Sequence, residues 1–343
     1  MKKLFLIVSL IIITPGLKAQ DIHFSQLSET PLLLNPASTG VYDGYYRCIL
    51  NYKSQWAAMG NPYRTFMGSF DMPIENNWNE YGAYIGIGAF VFSDKAGDSD
   101  FGTTQGNVSF SGIVPIDDGS TISAGIEAGV AQRSVDIAAI QWPNQYDGQS
   151  YNPNLPSYEA NRAGSYLFFD MAAGVHYEFL KYFGTLSGKE MVRFTAGAAL
   201  FHVTKPLQRF YEGSTEHQYP RIVVHSSLIY DFEGTTFGIV PSVLYMLQGP
   251  ASEIDAGILL RFKISQGTKV TGFISESAFS AGLHYRYKDA FSPQVFFELS
   301  NFGIGLSYDI NISSFSQATK NKGGLEISIK YSKMRGALYR NKR

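Results

Sequence analysis

The chain has little cysteine and almost no net charge, and both scarcities exclude classes of protein. Cys48 is the only cysteine, so no internal disulfide can staple the fold. A formal net charge of −1, with 17% charged residues, provides no global field for nucleic acid, and we expect no nucleic-acid partner. After residue 20, no uninterrupted apolar run approaches the roughly 18 residues of a spanning helix. The stability of the fold therefore has to come from burial or from closure of a sheet.

Motifs for catalysis, nucleotide binding and metal binding are missing as well. The sequence has no Walker-type glycine loop, no helical His-Glu-x-x-His and no cysteine cluster. A hydrolase could use Ser226 or Ser227 with His202 or His225, but such pairs occur by chance in any barrel. We therefore predict that the protein is not an enzyme and needs no cofactor.

One acidic loop is a weak candidate for calcium binding. The aspartates Asp94, Asp98 and Asp100 offer oxygen ligands within the loop at residues 93–101. The loop lacks the pattern of a full calcium-binding loop, with its glycine at the sixth position and its distal glutamate. We therefore interpret it as a solvated turn and predict no metal site.

The first residues have the pattern of an export signal. Lys2 and Lys3 precede an apolar stretch at residues 4–13, and small residues near Ala19 offer a processing site. Such a pattern is typical of a secretory signal peptide, because about ten apolar residues are too few for the roughly 20 of a spanning helix. We predict that residues 1–19 are a signal peptide.

The rest of the chain alternates between polar and apolar residues with the period of a β-strand. Between residues 253 and 264 every charge occupies an odd position, while the even positions are apolar. Successive side chains of a strand project to opposite faces, so this pattern separates two environments. Strands of soluble domains run to about 5–6 residues, whereas a strand tilted across a bilayer needs about 9–11. We therefore assign the even face to lipid and the odd face to a barrel interior.

About fourteen such segments, within a range of 12–16, fit between residues 44 and 333. They predict an all-β fold, namely a transmembrane antiparallel β-barrel of the bacterial outer-membrane type. Long connections at residues 134–165 and 204–220 fall on the predicted outer side, where such barrels carry their longer loops. A soluble β-sandwich is the alternative fold, and the length of the strands argues against it.

The segments that flank the strands have different characters. Residues 20–43 are too apolar for a free tail, so we expect them to pack inside the barrel or against its inner mouth. Residues 334–343 form a basic tail. The loop at 134–165 is dense in Pro and Asn, which indicates turns, and connections of this length are usually functional. Its exposed aromatic residues are the predicted partner contacts: Trp142, Tyr146, Tyr151 and Tyr158.

Charged residues on the polar faces of the strands are the candidate lining of the lumen. The predicted lining residues are Arg193, Glu253, Asp255, Arg261 and Lys263. Positive and negative charges are nearly balanced among them. This balance favours mutual neutralisation across neighbouring strands over a selective pore, which more often shows one dominant charge.

Several short motifs, taken in order, resemble those of one protein family. They are Asp21-Ile22-His23-Phe24-Ser25-Gln26, Leu34-Asn35-Pro36-Ala37, His202-Val203-Thr204-Lys205-Pro206 and Gly282-Leu283-His284-Tyr285-Arg286. Their order and spacing resemble the PorP/SprF family of Bacteroidota. The segment at residues 269–277 departs from that pattern.

The resemblance implies an outer-membrane component of the type IX secretion system, the export and gliding machinery of these bacteria. Such a component would anchor secreted cargo proteins or assist their export and surface display. The implied partners are outer-membrane lipid, other components of that system, and cargo such as adhesins with a C-terminal sorting domain. The alternative function is a porin-like or hydrophobic-solute channel, plugged by residues 21–41.

Overall fold

The computed structural model describes residues 21–56, 62–74, 82–97, 99–136, 140–158, 165–183, 190–209, 215–265, 277–313, 316 and 322–334. In this part of the chain, fourteen antiparallel strands close into a barrel in which β1 pairs with both β2 and β14. The prediction of an outer-membrane barrel with about fourteen strands is therefore confirmed.

Each strand pairs with its neighbours in sequence, and the strands are ten to eighteen residues long, which suits a tilted membrane crossing. The strands are β1 Gly44–Gln55, β2 Tyr63–Ile74, β3 Tyr84–Ala96, β4 Phe101–Pro115, β5 Ser120–Ser134, β6 Tyr166–Phe183, β7 Glu190–Phe201, β8 Arg221–Asp231, β9 Phe237–Gln248, β10 Ala251–Ser265, β11 Ser277–Arg286, β12 Ala290–Leu299, β13 Phe302–Asn311 and β14 Lys322–Met334.

The outer wall of the barrel is apolar, because alternate residues of each strand face away from the interior. On β13 exposed and buried residues alternate without exception from Phe302 to Asn311. On β10 the even residues Ile254, Ile258 and Phe262 are exposed, whereas the charged odd residues are buried. A water-soluble protein exposes its charged residues and buries its aliphatic ones. This wall does the opposite, so it faces lipid. Among the described residues, no helix has the length and the apolar character to cross a membrane.

The two ends of the barrel differ in the length of their connections. One end carries the connections 135–165 and 202–220, and we call it the outer end because outer-membrane barrels carry their longer loops outside. The opposite, inner end carries short turns such as 116–119, 232–236 and 300–301, together with the first residue of β1 and the last of β14. The predicted signal peptide at residues 1–19 and the basic tail beyond Met334 lie outside the described residues.

Residues 21–43, called the N-terminal segment below, form two 3₁₀ turns and one short helix. The turns are Leu27–Glu29 and Pro36–Ser38, and the helix α1 spans Pro31–Leu34. Proline at the first position of α1 suits a helix start, and the Asn35 side chain accepts a hydrogen bond from the N–H of Ala37. Proline and asparagine therefore give this segment a compact, turn-rich course.

The N-terminal segment packs against opposite walls of the barrel. Leu34 joins an apolar cluster that includes Phe201 and Val223, whereas Leu32 joins another that includes Met67 and Phe90. An eight-stranded barrel has an interior that side chains alone can fill, and a fourteen-stranded barrel is wider. The N-terminal segment therefore fills volume in the lumen that the inward side chains of this barrel leave empty.

Candidate functional site

The N-terminal segment runs through the interior from the outer end to the inner end. Near the outer end, the Asp21 carboxylate accepts a hydrogen bond from Gln248, the last residue of β9. Further in, the Asn35 side chain donates to the carbonyl oxygen of Val175 at 2.9 Å. Near the inner end, Asp43 accepts from a tyrosine hydroxyl of β6 at 3.3 Å. The segment therefore has contacts along the length of the lumen.

A cluster of buried charges binds the outer half of the segment. The backbone N–H groups of Ser25 and Gln26 donate to the two carboxylate oxygens of Glu326 at 2.7 and 2.9 Å. The Lys53 ammonium lies 3.7 Å from Glu326 and 3.5 Å from Asp309, and these three side chains are at most 3% exposed. Taking a charge out of water costs several kcal/mol, so each charge here depends on its partners. The segment supplies two of those partners as backbone donors.

Two of the predicted lining residues, Glu253 and Asp255, lie beside this cluster. The Arg286 guanidinium is 3.5 Å from Glu253, 3.8 Å from Asp255 and 3.4 Å from Asp309. Asp255 also contacts the ring of His284 at 2.7 Å. The carboxylates are thus matched by neighbouring cations and point into a filled interior.

The other three predicted lining residues lie closer to the inner end. Arg261 is 3.0 Å from the carboxylate of Asp231, and Lys263 is 3.8 Å from it. Arg193 lies elsewhere, on β7, where its Nε donates to Glu178 at 2.8 Å. The five predicted residues therefore belong to three separate groups. In each group, charges of opposite sign neutralise one another.

Two inward-facing glycines let the N-terminal segment approach the wall closely. A Cβ atom at Gly86 would lie 2.2 Å from the carbonyl oxygen of Thr39. At Gly125 it would lie 2.6 Å from the backbone nitrogen of Ala37. Any larger residue at either position would displace the segment, so these glycines form part of its seat.

At the outer end, an ion pair fixes the first described residue. The His202 ring lies between two carboxylates, with Nε2 2.5 Å from Asp21 and Nδ1 2.7 Å from Asp170. Burial lowers the pKa of His202, but the two carboxylates outweigh it and raise the pKa to about 9. Burial raises the pKa of Asp21, whereas His202 and Arg221 bring that pKa well below its ordinary value. Both members of the pair are therefore charged at neutral pH.

Residues 140–158, within the connection between β5 and β6, form a compact loop at the outer end. The buried side chain of Gln145 donates at 3.0 Å to a carbonyl oxygen of the returning chain, and Tyr146 forms a β-bridge with Tyr151. Tyr146 and Tyr158 are 58% and 78% exposed, whereas Trp142 and Tyr151 are partly covered. The four predicted contact residues thus share one loop, and two of them present their rings to solvent.

The histidines considered for catalysis are engaged by the N-terminal segment. His225 contacts the side-chain amide of Asn35 at 3.3 Å and stacks on His176 with ring centroids 5.7 Å apart. His202 contacts the Asp21 and Asp170 carboxylates. Both rings therefore contact side chains of the N-terminal segment and of the barrel wall.

The aspartates considered for calcium have other neighbours. Asp94 accepts a hydrogen bond from the Thr65 hydroxyl at 2.6 Å, Asp100 pairs with Lys95 at 3.6 Å, and Asp98 lies outside the described residues. Within the described ranges, no group of three or more His, Cys, Asp or Glu side chains is arranged to hold a metal ion.

Sequence reasoning missed the residues that bind the N-terminal segment. These are Lys53, Arg286, Asp309 and Glu326 on the strands, and Ser25 and Gln26 on the segment. The alternation places the strand residues on inward faces, and that was the available signal. Their meeting depends on closure of the barrel, which brings residue 25 to residue 326.

The chain was compared with curated proteins and with solved structures. None of the curated proteins matches the sequence. Among solved structures, the chain is similar to a CymD monoaromatic hydrocarbon channel, with 11% identity, 94% of this chain and 95% of that chain covered, and a TM-score of 0.44. It is also similar to BamA from Haemophilus ducreyi lacking POTRA domains 1-3, with 9% identity, 84% and 70% covered, and a TM-score of 0.41.

One family model covers nearly all of the chain after its first residues. The model of the type IX secretion system membrane protein PorP/SprF matches residues 16–331. This range includes all of β1 to β13 and most of β14, together with the N-terminal segment. The chain is an outer-membrane β-barrel protein that belongs to the PorP/SprF family of type IX secretion system membrane proteins.

Proposed function

We propose that this protein is a filled scaffold of the type IX secretion system that assists export of secreted cargo proteins and holds them at the cell surface. The observation that best supports this proposal is the occupied lumen. The backbone N–H groups of Ser25 and Gln26 donate hydrogen bonds to the buried Glu326 carboxylate. Gly86 and Gly125 in the wall leave the space that the segment occupies. A barrel filled in this way can bind partner proteins at its surfaces more readily than it can pass solutes through its lumen.

The loop between β5 and β6 is the proposed surface for the cargo. Tyr146 and Tyr158 present large amphipathic rings, the residue type that most often carries binding energy at protein interfaces. The hydrogen bonds of Gln145 already order the loop, so binding would cost less conformational entropy. The proposed partner is a secreted protein with a C-terminal sorting domain. Other components of the secretion system and outer-membrane lipid complete the proposed surroundings.

Surface display of cargo tests this proposal. The double variant Tyr146→Ser, Tyr158→Ser should reduce the cargo that is accessible to antibody on intact cells. The amount of folded barrel, read from heat-modifiable migration on gels, should stay the same. Tyr287→Ser is the matched control, because Tyr287 is 54% exposed in a different connection at the outer end. Unchanged display in the double variant would remove the loop from the proposal.

Electrical recording separates the scaffold from the porin-like or hydrophobic-solute channel. Purified wild-type protein in a planar bilayer should give no steady conductance, because the N-terminal segment contacts the wall along the length of the lumen. A steady ohmic conductance of the wild-type protein would favour the channel instead.

A further inference from the structure

The outer end of the barrel contains a pocket that holds a single carboxylate, that of Asp21. The His202 ring contacts this carboxylate at 2.5 Å, and the side-chain amides of Gln218 and Gln248 donate to it at 3.1 and 3.0 Å. The Arg221 guanidinium lies 3.7 Å away. These four side chains are called the Asp21 pocket below. Two cations and two amide donors around one anion are a favourable set for carboxylate binding.

Contacts within the barrel orient two side chains of the Asp21 pocket, His202 and Arg221. Asp170 of β6 binds the second ring nitrogen of His202 at 2.7 Å and so orients the ring. Arg221 is the first residue of β8, is 6% exposed, and lies 4.4 Å over the ring of Phe201. Supporting contacts of this kind hold binding groups in place independently of the ligand. The pocket therefore keeps its donors when its occupant leaves.

The Asp21 pocket recognises part of a peptide as well as an anion. Gln248 makes two contacts with the same residue, because its Oε1 accepts from the N–H of Asp21 at 3.0 Å and its Nε2 donates to the carboxylate. Among the described residues, Arg221 Nε is buried without a hydrogen-bond partner, so one donor beside the occupant is unused there. The fitting ligand carries a peptide N–H and a carboxylate on one residue.

The occupant is accessible, and its neighbours are anchored separately. The Asp21 side chain is 19% exposed at the outer end of the barrel. Ser25 and Gln26 are held by Glu326 on a different part of the wall. Asp21 can therefore leave its pocket while the remainder of the segment stays bound.

We propose that the Asp21 pocket is a receptor for a peptide carboxylate that arrives from the cell exterior, and that Asp21 is an internal occupant which this ligand displaces. The inference rests on the proposed function, because the exported partner supplies the peptide. The carboxylate belongs either to the last residue of that peptide or to an aspartate side chain, and both present the same chemistry to the pocket.

Titration calorimetry of the Asp21→Ala variant in detergent micelles tests the pocket. The three probes are acetyl-glycyl-alanine, which has a free C-terminal carboxylate, acetyl-glycyl-aspartate α-amide, which has only a side-chain carboxylate, and acetyl-glycyl-alanine amide, which has neither. At least one carboxylate probe should bind about tenfold or more tightly than the amide, and adding Arg221→Met should remove that preference. The carboxylate probe that binds more tightly shows whether the pocket prefers a C-terminal carboxylate or an aspartate side chain. Equal binding of the three probes, or no binding, would overturn the proposal.

Hydrogen exchange of the wild-type protein tests displacement without any substitution. A saturating carboxylate probe should speed exchange at the amide of Asp21, which Gln248 protects. The amides of Ser25 and Gln26 are the internal control, because Glu326 holds them, and their exchange should not change. No change at Asp21 would overturn displacement. Failure of these peptide experiments is distinct from failure of the cargo scaffold, which is measured as display on cells.

Discussion

Lysine at position 258 should destabilise the barrel far more than lysine at position 264 of the same strand. Ile258 and Ile264 both face lipid from β10 and are 45% and 67% exposed. With a rise of about 3.3 Å per residue and a tilt of about 40°, they lie about 15 Å apart along the membrane normal. Ile258 is at the centre of the strand, and the apolar band of such barrels is about 25 Å tall, so Ile264 reaches the interface.

The expected cost of Ile258→Lys is about 2–4 kcal/mol, and that of Ile264→Lys is about 0–1 kcal/mol. The measurement is reversible unfolding in denaturant from phosphatidylcholine vesicles, with the midpoint and the slope compared between the two variants and the wild type. Equal costs would refute the assigned depths. A larger cost at Ile264 would mean that the centre of the membrane lies near the inner end of β10.

Three further predictions concern the lumen. Lys53→Met leaves the buried Glu326 carboxylate without the cation it pairs with and leaves Asp309 with Arg286 alone, so it should cost about 3–5 kcal/mol in the same unfolding assay, whereas Lys95→Met, at an exposed ion pair, should change little. Gly86→Ala should make the N-terminal segment sensitive to protease, whereas Gly106→Ala, where a Cβ meets open space, should not. The stability contributed by charged His202 is complete below its ordinary pKa and is lost as pH rises through about 9, so protease should reach the segment above that pH.

The number and the facing of the strands could be predicted because a period of two is a local property of the sequence. On β13 and β10 the alternation alone separates lipid from interior. The filling of the lumen could not be predicted in this way. Gly257 occupies an inward position that looks open in the sequence, yet a Cβ there would lie 2.3 Å from the ring of His284 on the next strand. Which side chain fills a gap depends on register and closure, and neither is encoded locally.

The pairing of charges also combines a part that is local in the sequence with a part that depends on the closed barrel. The alternation predicts that Glu253, Asp255, Arg261 and Lys263 share one face, and their summed charge indicates neutralisation. It does not show that the two acids and the two bases have different partners at different depths, with Arg286 beside the acids and Asp231 beside the bases. A tilted strand carries residues eight positions apart to different levels of the lumen, so a balanced sum conceals two separate clusters.

The distribution of contacts along the N-terminal segment determines which part of it can move first. Its inner end continues directly into β1, and its middle is seated against Gly125 and bonded to Val175. Its outer end is bound through Asp21, whose carboxylate is partly exposed and whose partners are side chains of the barrel. Exchange of Asp21 for another carboxylate replaces like with like, so it costs far less than stripping backbone donors from Glu326. Any opening of this lumen should therefore begin at the outer end and leave the segment tethered at the inner one.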